Sequence, residues 1–349
     1  MKIKSLIGTL ALGGIVLFSA CSNSSADQNN ETEVNDSLTT VLETVLETDD
    51  STELPVKMIQ NSPEGAEAYF SPDDKSMIFN GKTGDDKYHM VYTMNIDGTD
   101  LLKINDKGAD ACSYYHPDGK SLIWTSTRDN LDMHPGDYSN TQDYPQGAEL
   151  YTSDLDGGNV KRLTNNKHYD AEVAYSPDGS KILFGRQIDG KMDLWLMDGD
   201  GSNEKQITFT DDWQEGGAFI MPDNETIIYR AWKKEDEGKR SKDMHIFTIK
   251  TDGTDMKQHT HESGTHWAPY PSPDGKHFAY VKVLPPHNFE VFIRNLETGK
   301  ERQMTFNESF DGFPVISHDG KTLSFSSGRD ANGERKLYLY LMDISSMNL

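Results

Sequence analysis

The chain has 349 residues, a formal net charge of −23 and an isoelectric point near 4.8, and 35% of its residues are hydrophobic. Its length allows one large or two ordinary domains. The acidic excess argues against nucleic acid and anionic lipid surfaces as partners, because both are negatively charged. It favours cations, basic proteins or neutral ligands, although the same acidity also keeps secreted proteins in solution.

The first 20 residues have the pattern of a bacterial signal peptide. The basic stretch MKIK precedes the apolar run SLIGTLALGGIVLFSA, which is too short and too early for a stable membrane span. Ser19, Ala20 and Cys21 resemble a lipobox, in which the Cys becomes the lipidated first residue, although Phe18 stands where Leu is usual. We therefore predict a lipoprotein signal over residues 1–20; the alternative is an ordinary secretory signal cut near Ala20.

Residues 21–55 are predicted to form an acidic linker. They contain no Lys or Arg and few apolar residues, so they cannot bury enough surface to offset the entropy lost on ordering. The chain has two cysteines, and if Cys21 carries lipid, Cys112 has no partner within the chain. A lone thiol in a β-rich repeat is more often a small core residue than a nucleophile.

A nine-residue motif recurs six times after the linker. The copies, with the number of the first residue, are SPDDKSMIF (71), HPDGKSLIW (116), SPDGSKILF (176), MPDNETIIY (221), SPDGKHFAY (272) and SHDGKTLSF (317). Pro presets the first corner of a type I turn, Asp hydrogen-bonds its own backbone, and Gly supplies a positive φ. Asp74 and Asn224 replace Gly and tolerate that conformation better than most residues, while His318 replaces Pro.

Four strands, here named A to D, are predicted in each repeat. In the third repeat they cover residues 171–177, 181–187, 193–201 with its turn, and 205–209. Asp-Gly pairs such as those in IDGTD and TDGTD suit tight C-to-D hairpins. Because the motifs are 45, 60, 45, 51 and 45 residues apart, the pattern is typical of propeller blades.

Only five outer D strands follow the six motifs: LKIND, KRLTN, KQITF, KQHTH and RQMTF. The segment VKMIQN, residues 56–61, has the same pattern but precedes the first strand A. We therefore predict an all-β, six-bladed propeller over residues 56–349, in which this N-terminal strand completes the last blade and closes the ring.

The SPDGK blades, the DGT turns and the KQIT strands resemble the six-bladed propeller of TolB, the periplasmic component of the Tol system. The resemblance covers about residues 56–349. Together with the lipobox-like residues ending in Cys21, it implies a lipid-anchored binding or scaffold protein of the bacterial cell envelope, on the outer membrane and facing the periplasm or the exterior. TolB carries an α/β domain before its propeller, where this chain has a linker, so roles of that domain are not implied.

Further expectations concern partners and chemistry. The resemblance implies a monomer that binds an envelope protein or polysaccharide and reaches the membrane only through its anchor. Similar blades occur in prolyl oligopeptidase-type enzymes and oligogalacturonate lyases, so the alternative is a metal-dependent polysaccharide lyase or a carbohydrate-binding propeller. The chain has no G-x-S-x-G, H-E-x-x-H or Walker motif, and we predict no catalytic residue.

Ligand sites are expected on the face formed by the variable D-to-A and B-to-C connections. The position seven residues before the motif Pro, Gly65 in the first blade, is expected to face the central channel. In the other blades it reads Asp110, Asp170, Glu215, His266 and Asp311. Converging carboxylates and an imidazole suit a divalent cation such as Ca²⁺ or Mn²⁺; alternatively, these acids cap strands beside a wet channel.

Two further groups on this face are candidates. His259 and His261, two residues apart on a predicted strand, would share one side, and with His266 they form a possible metal triad. The alternative is that each is a satisfied structural histidine. Tyr138 and Tyr144, in the long insertion 128–149, together with Trp267, are candidates for stacking on a sugar or peptide, although a flexible loop is an alternative for the insertion.

Replacing the predicted lipidation site tests the anchor. Because Cys21→Ser lacks the thiol that would carry the lipid, we expect an unprocessed precursor or a soluble product. The measurement is the partition of the protein between membrane and soluble fractions, with Cys112→Ser as the control that keeps the wild-type partition. Because an unprocessed precursor keeps its apolar run and also stays in the membrane, the size of the product is compared on a gel, and a Cys21→Ser product with both the wild-type size and the wild-type membrane partition would contradict the anchor.

Overall fold

A computed structural model describes residues 52–84, 86–239 and 241–349. Within these residues the chain forms 24 β-strands in six four-stranded antiparallel sheets, and two 3-10 helices of three residues each. The predicted all-β, six-bladed propeller is confirmed. The predicted signal peptide and Cys21 lie outside the described residues. Across the described ranges, no helix has the length and apolar character needed to cross a membrane.

The strands are numbered in chain order, beginning with β1 (Val56–Met58). Blade 1 comprises β2 (Glu64–Phe70), β3 (Ser76–Lys82), β4 (Met90–Asn95) and β5 (Leu102–Lys103). Blade 2 comprises β6 (Asp110–Tyr115), β7 (Ser121–Ser126), β8 (Glu149–Asp154) and β9 (Lys161–Arg162). Blade 3 comprises β10 (Tyr169–Tyr175), β11 (Lys181–Ile188), β12 (Lys191–Asp198) and β13 (Lys205–Gln206).

The second half of the ring has the same order. Blade 4 comprises β14 (Trp213–Ile220), β15 (Thr226–Lys233), β16 (Met244–Lys250) and β17 (Lys257–Gln258). Blade 5 comprises β18 (His266–Pro271), β19 (His277–Leu284), β20 (Asn288–Asn295) and β21 (Glu301–Gln303). Blade 6 comprises β22 (Asp311–Ile316), β23 (Thr322–Ser327), β24 (Tyr338–Asp343) and β1. The 3-10 helices are Lys234–Asp236 and Ser345–Met347.

The ring is closed by β1. This strand pairs antiparallel with β24, with Val56 opposite Met342 and Met58 opposite Tyr340. The A strands of neighbouring blades contact each other in a closed cycle, from β2 through β6, β10, β14, β18 and β22 back to β2. The predicted closing strand is therefore confirmed, and the last blade gains the outer strand that the chain does not supply after β24.

The predicted turn chemistry is present in all six motifs. Each motif Asp side chain accepts the backbone N–H two residues further on, at 2.8–3.2 Å. The residue after that Asp lies in the left-handed region, with φ between 57° and 72°; these residues are Asp74, Gly119, Gly179, Asn224, Gly275 and Gly320. The face that carries the A-to-B and C-to-D turns is thus built from one repeated local structure.

Aromatic pairs between strands B and C form the centre of each blade. The motif ends on an aromatic residue that is at most 1% exposed in every copy. Each of these rings stands directly opposite another aromatic ring: Phe79 and Tyr92, Trp124 and Tyr151, Phe184 and Trp195, Tyr229 and Phe247, Tyr280 and Phe292, Phe325 and Tyr340. Such cross-strand pairs stabilise the sheet of each blade, and the ring faces that point away from the sheet pack against the next blade.

The outer D strands are shorter than predicted, and the Thr of the KQIT pattern explains why. The blade 3 strand ends at Gln206, whereas the sequence suggested residues 205–209. The hydroxyl of Thr208 accepts the N–H of Leu194 at 2.9 Å, so a side chain replaces the next ladder hydrogen bond. The equivalent donor–acceptor pairs, all at 2.9–3.0 Å, are Leu150 to Thr164, Ile246 to Thr260 and Val291 to Thr305.

Two departures from the motif meet where blade 6 adjoins blade 1. Because His318 replaces Pro, its N–H is free to donate to Oδ1 of Asp74 at 2.9 Å, and its ring Nδ1 lies 2.8 Å from the same oxygen. The N–H of Asp319 donates to Asp74 Oδ2 at 3.0 Å. Asp74 itself replaces Gly, so the two exceptional motif residues bind each other across the ring closure.

Removing the charge of Asp74 should weaken this closure. In Asp74→Asn the side-chain amide cannot accept the Asp319 N–H, while Asn still tolerates the left-handed backbone. We expect a loss of about 1–2 kcal/mol in the free energy of unfolding, since bonds to a charged but partly exposed group are discounted for solvent. The measurement is urea unfolding, with the exposed Asp132→Asn as control, and equal unfolding free energies for the two variants would contradict the closure contact.

Candidate functional site

Every A strand contains a bulge at the same position. The pairing register with strand B shifts once in each of β2, β6, β10, β14, β18 and β22. At the bulge, five residues before the motif Pro position, φ lies between 34° and 55°, and the residues are Glu67, Cys112, Glu172, Gly217, Ala268 and Phe313. Five of the six are not glycine, although non-glycine residues rarely adopt this conformation.

These six bulge residues line one central cavity of about 670 Å³. The bulge adds one residue to strand A and shifts the alternation of its side chains. A side chain that would otherwise point away from the central cavity therefore points into it. Residues of the B-to-C connections, among them Ser139, Thr141, Lys242 and His287, line the same cavity. The cavity therefore reaches the variable-loop face that the sequence favoured for ligands.

Four aromatic rings pack against each other across the channel. Tyr69, Tyr114, Phe219 and Tyr270 come from blades 1, 2, 4 and 5, each two residues after a bulge residue. Neighbouring ring centroids are 4.9–6.3 Å apart, and the hydroxyls of Tyr114 and Tyr270 lie 3.0 Å apart. Because these rings fill the axis on the motif-turn side of the bulges, they form a floor to the cavity.

A charged cluster lines the wall from blades 1 to 4. Glu172 accepts from Arg230 Nη2 at 2.5 Å and from the N–H of Gly217 at 2.6 Å. A Cβ at position 217 would lie 1.7 Å from Nη1 of Arg230, so the guanidinium can hold its present position only while residue 217 is glycine. Glu67, on the adjacent part of the wall, accepts from Asn80 Nδ2 at 3.0 Å.

An aromatic cluster lines the opposite wall, from blades 5 and 6. Trp267 and Phe313 have ring centroids 4.7 Å apart, and Phe310 lies 5.1 Å from Phe289 and 6.0 Å from Phe313. All four rings are half-buried and line the cavity. The cavity is thus charged on one side and aromatic on the other.

The predicted ligand-binding aromatics all line this cavity. Tyr144 stacks on Tyr169 with centroids 4.0 Å apart and planes 5° apart, while the Tyr138 hydroxyl donates to the carbonyl of Ala109 at 3.1 Å. Their insertion continues over blade 3 to blade 4, where Lys242 Nζ lies 3.3 Å from the Thr141 hydroxyl. The third candidate, Trp267, belongs to the opposite wall.

Each of the predicted channel acids has a local partner, and among them only Asp110 lines the cavity. Asp170 forms a bidentate ion pair with Arg186, at 2.6 and 2.8 Å, and Asp311 pairs with Arg329 at 2.8 Å. Asp110 accepts from the Val91 N–H and from an amide at the end of the preceding outer strand, and Glu215 accepts from the Thr210 hydroxyl. These acids hold the D-to-A connections, as the strand-capping alternative described.

The predicted histidines have three different surroundings. His259 Nε2 lies 2.8 Å from the Thr248 hydroxyl, His261 is exposed, and His266 donates from Nδ1 to the Met244 carbonyl at 3.1 Å. His266 is 1% exposed and stacks on Tyr280. Across residues 52–84, 86–239 and 241–349, no group of three or more His, Cys, Asp or Glu side chains could hold a metal ion.

Sequence reasoning missed the bulge position. Counting from the motif Pro identified the seventh residue back, whereas the fifth residue back faces the cavity. Gly217 gives a weak signal at that position, since glycine favours positive φ. Cys112, expected to be a small core residue, is one of the cavity residues, and burial together with the nearby carboxylates Glu67 and Glu172 raises the pKa of its thiol well above its usual value.

Asp170, which is in a buried ion pair, and Glu215, which is buried without a basic partner among the described residues, should respond differently to substitution. Asp170→Asn breaks a buried pair, which costs about 3 kcal/mol or more of stability. Burial raises the pKa of Glu215 from 4.5 to about 8, so this group is protonated at pH 6 and Glu215→Gln replaces a neutral side chain. Because the folded state holds the proton more tightly than the unfolded chain, wild-type stability should fall as pH rises from 4.5 to about 8.

Urea unfolding of the wild type and of both variants at pH 5, 7 and 9 measures this difference. We expect the stability of Glu215→Gln relative to wild type to increase from pH 5 to pH 9. A difference that does not change with pH, or a loss below 1 kcal/mol in Asp170→Asn, would contradict the assigned contacts.

No family model matches the chain. It is 29% identical over 154 residues to the protein TolB homolog of Chlorobium luteolum, which is 44% of this chain and 33% of that protein. The chain covers only part of the length of four curated relatives that it matches, between 22% and 56%.

Solved structures show the same fold. TolB from Acinetobacter baumannii superposes with a TM-score of 0.58 and 18% identity, over 81% of this chain and 64% of that one. An oligogalacturonate lyase from Vibrio parahaemolyticus superposes with a TM-score of 0.54 and 12% identity, over 86% and 96% of the two chains. At such identities the likeness is one of fold. With its six closed blades, the chain is a TolB-like six-bladed β-propeller.

Proposed function

We propose that this protein is a lipid-anchored binding protein of the bacterial cell envelope, which binds an envelope partner in the central cavity on the face of the D-to-A and B-to-C connections. The lipobox-like residues ending in Cys21 support the anchor. The resemblance to TolB supports the envelope, and the acidic composition is compatible with a secreted protein.

One observation carries the binding role. All six blades repeat the same left-handed bulge, yet the side chain at that position differs in charge, size and polarity among Glu, Cys, Gly, Ala and Phe. A frame that only had to be stable would need no such variety, and strained backbone residues cluster where a protein binds ligands. The cavity volume of about 670 Å³ is within the range of sites for small ligands or for a short peptide segment.

The alternative, a metal-dependent lyase, receives no support from the geometry of the described residues. Asp170, His259 and His266 have partners in Arg186, Thr248 and the Met244 carbonyl, and the described residues contain no group of three or more His, Cys, Asp or Glu side chains that could hold a metal ion. A bound Ca²⁺ or Mn²⁺ therefore stays a prediction from the sequence.

Photo-crosslinking in intact cells tests the binding face. The full-length protein would carry benzoylphenylalanine either at Ser139, which is exposed at the cavity, or at Glu225, whose side chain is 75% exposed in a motif turn on the opposite face. We expect a discrete adduct with one envelope component from position 139 only. Adducts from 225 alone, or the same adducts from both positions, would contradict the proposed face.

A further inference from the structure

We propose that the central cavity takes a ligand with a cationic group and an aromatic or aliphatic body, with the cation at Glu67 and the body against Trp267, Phe289, Phe310 and Phe313. This inference rests on the proposed function, because it names the chemistry of the ligand that the same cavity would hold. The charged side chains of the wall differ in whether they already have an ion-pair partner.

The Lys and Arg side chains along the cavity are engaged by protein carboxylates. Arg230 pairs with Glu172 at 2.5 Å, and Lys242 pairs with Glu237 at 2.7 Å. Lys239, near the rim, pairs with Asp236. Among the described residues, these cations are therefore not available to an anionic ligand without breaking an existing pair.

Glu67 has no such neutralising partner. Within the described residues, no Lys, Arg or His side chain lies within ion-pair distance of its carboxylate, and its hydrogen bond comes from the neutral amide of Asn80. Asp110, also on the cavity wall, is held by an amide and a backbone N–H. The carboxylate of Glu67 is therefore one that no basic side chain among the described residues neutralises, and a bound cation would stabilise its ionised form.

A second observation at the same place points to a donor ligand. Asn80 is 8% exposed and lines the cavity, and while its Nδ2 donates to Glu67, its Oδ1 has no hydrogen-bond partner. A buried amide oxygen without a donor costs free energy. An ammonium or guanidinium group at Glu67 carries several N–H donors and would satisfy both oxygens together.

The electrostatic surroundings of Glu67 favour the same ligand. Burial and the nearby charge of Glu172 raise the pKa of Glu67, while a contact with Cys112 and the charge of Arg230 lower it in part. A positive charge on a bound ligand would favour the ionised carboxylate of Glu67 and would offset the free-energy cost of its desolvation.

The aromatic wall suits the rest of such a ligand. Four half-exposed rings with neighbouring centroids 4.7–6.5 Å apart form one apolar surface opposite the charged wall. Rings of this kind bind apolar groups by burial and attract cations through their faces. An amphiphilic amine can therefore use both walls at once, which neither a simple metal ion nor a polyanion can do.

Three probes that share a phenylethyl body and differ in the charge of the head group separate charge from burial: 2-phenylethylamine, 2-phenylethanol and 3-phenylpropionate. Each is titrated into the purified full chain while tryptophan fluorescence is followed, because Trp232 and Trp267 line the cavity, and saturation-transfer NMR checks the Kd. We expect the amine to bind at least tenfold more tightly than the alcohol, and the carboxylate most weakly.

Matched variants assign the cation position. Glu67→Gln keeps the shape and the acceptor for Asn80, and it should raise the Kd of the amine at least tenfold while leaving that of the alcohol unchanged. Glu225→Gln removes one charge from an exposed motif turn on the opposite face and should leave both unchanged. Trp267→Leu should weaken the amine and the alcohol alike. Circular dichroism checks that each variant is folded.

Equal Kd values for amine and alcohol, no measurable binding of the amine, or an unchanged amine Kd in Glu67→Gln would overturn the proposed ligand chemistry. The cross-link from position 139 does not depend on these probes. If that cross-link forms while the amine fails, the ligand chemistry is wrong and the proposed binding face stands.

Discussion

The left-handed bulge in each inner strand is the constraint on which the cavity depends. A non-glycine residue in this conformation costs roughly 1–2 kcal/mol, and five of the six bulge residues are not glycine. Their combined strain is of the order of the whole stability of a typical domain. It is tolerated because the flanking ladder and the buried aromatic pairs between strands B and C fix each inner strand on both sides of the bulge. The rigid outer part of the blade thus maintains an unfavourable inner geometry that gives the cavity its lining.

The repeat could be read from the sequence because its causes are local. Pro, Asp and Gly act on their own backbone, and the surplus strand before the first motif has to pair with the sheet that lacks one. The cavity lining could not be read in this way. A bulge changes the side-chain alternation by one residue, so counting back from the motif identified Asp170 and Glu215, while Glu172 and Gly217 face the cavity. No residue type requires a bulge at that position, and the sequence gives little sign of one.

Departures from the repeat are informative because they occur in compensating pairs. Where the Thr of the KQIT pattern is replaced by Asn105, the Val91 N–H that a Thr would accept is taken by Asp110. Where the Arg230 side chain extends across the inner strand, the bulge residue is Gly217. A Cβ at this position would collide with the Arg230 guanidinium. A residue that departs from the repeat in one blade is therefore best interpreted together with its contact in the next strand or blade. It is not a random loss of the motif.

The buried Thr that ends the outer strand in blades 2 to 5 also has a consequence for the protein among its neighbours. By ending the ladder after two or three residues, it leaves each of these blades with an outer edge too short to recruit a strand from another molecule. Lysines at 103, 161, 205 and 257 place a positive charge on the outer strands of blades 1 to 4, and charged, truncated edges are the means by which β proteins avoid joining edge to edge. A propeller exposes as many outer edges as it has blades, so a hydroxyl that stops the strand early is also a safeguard against aggregation.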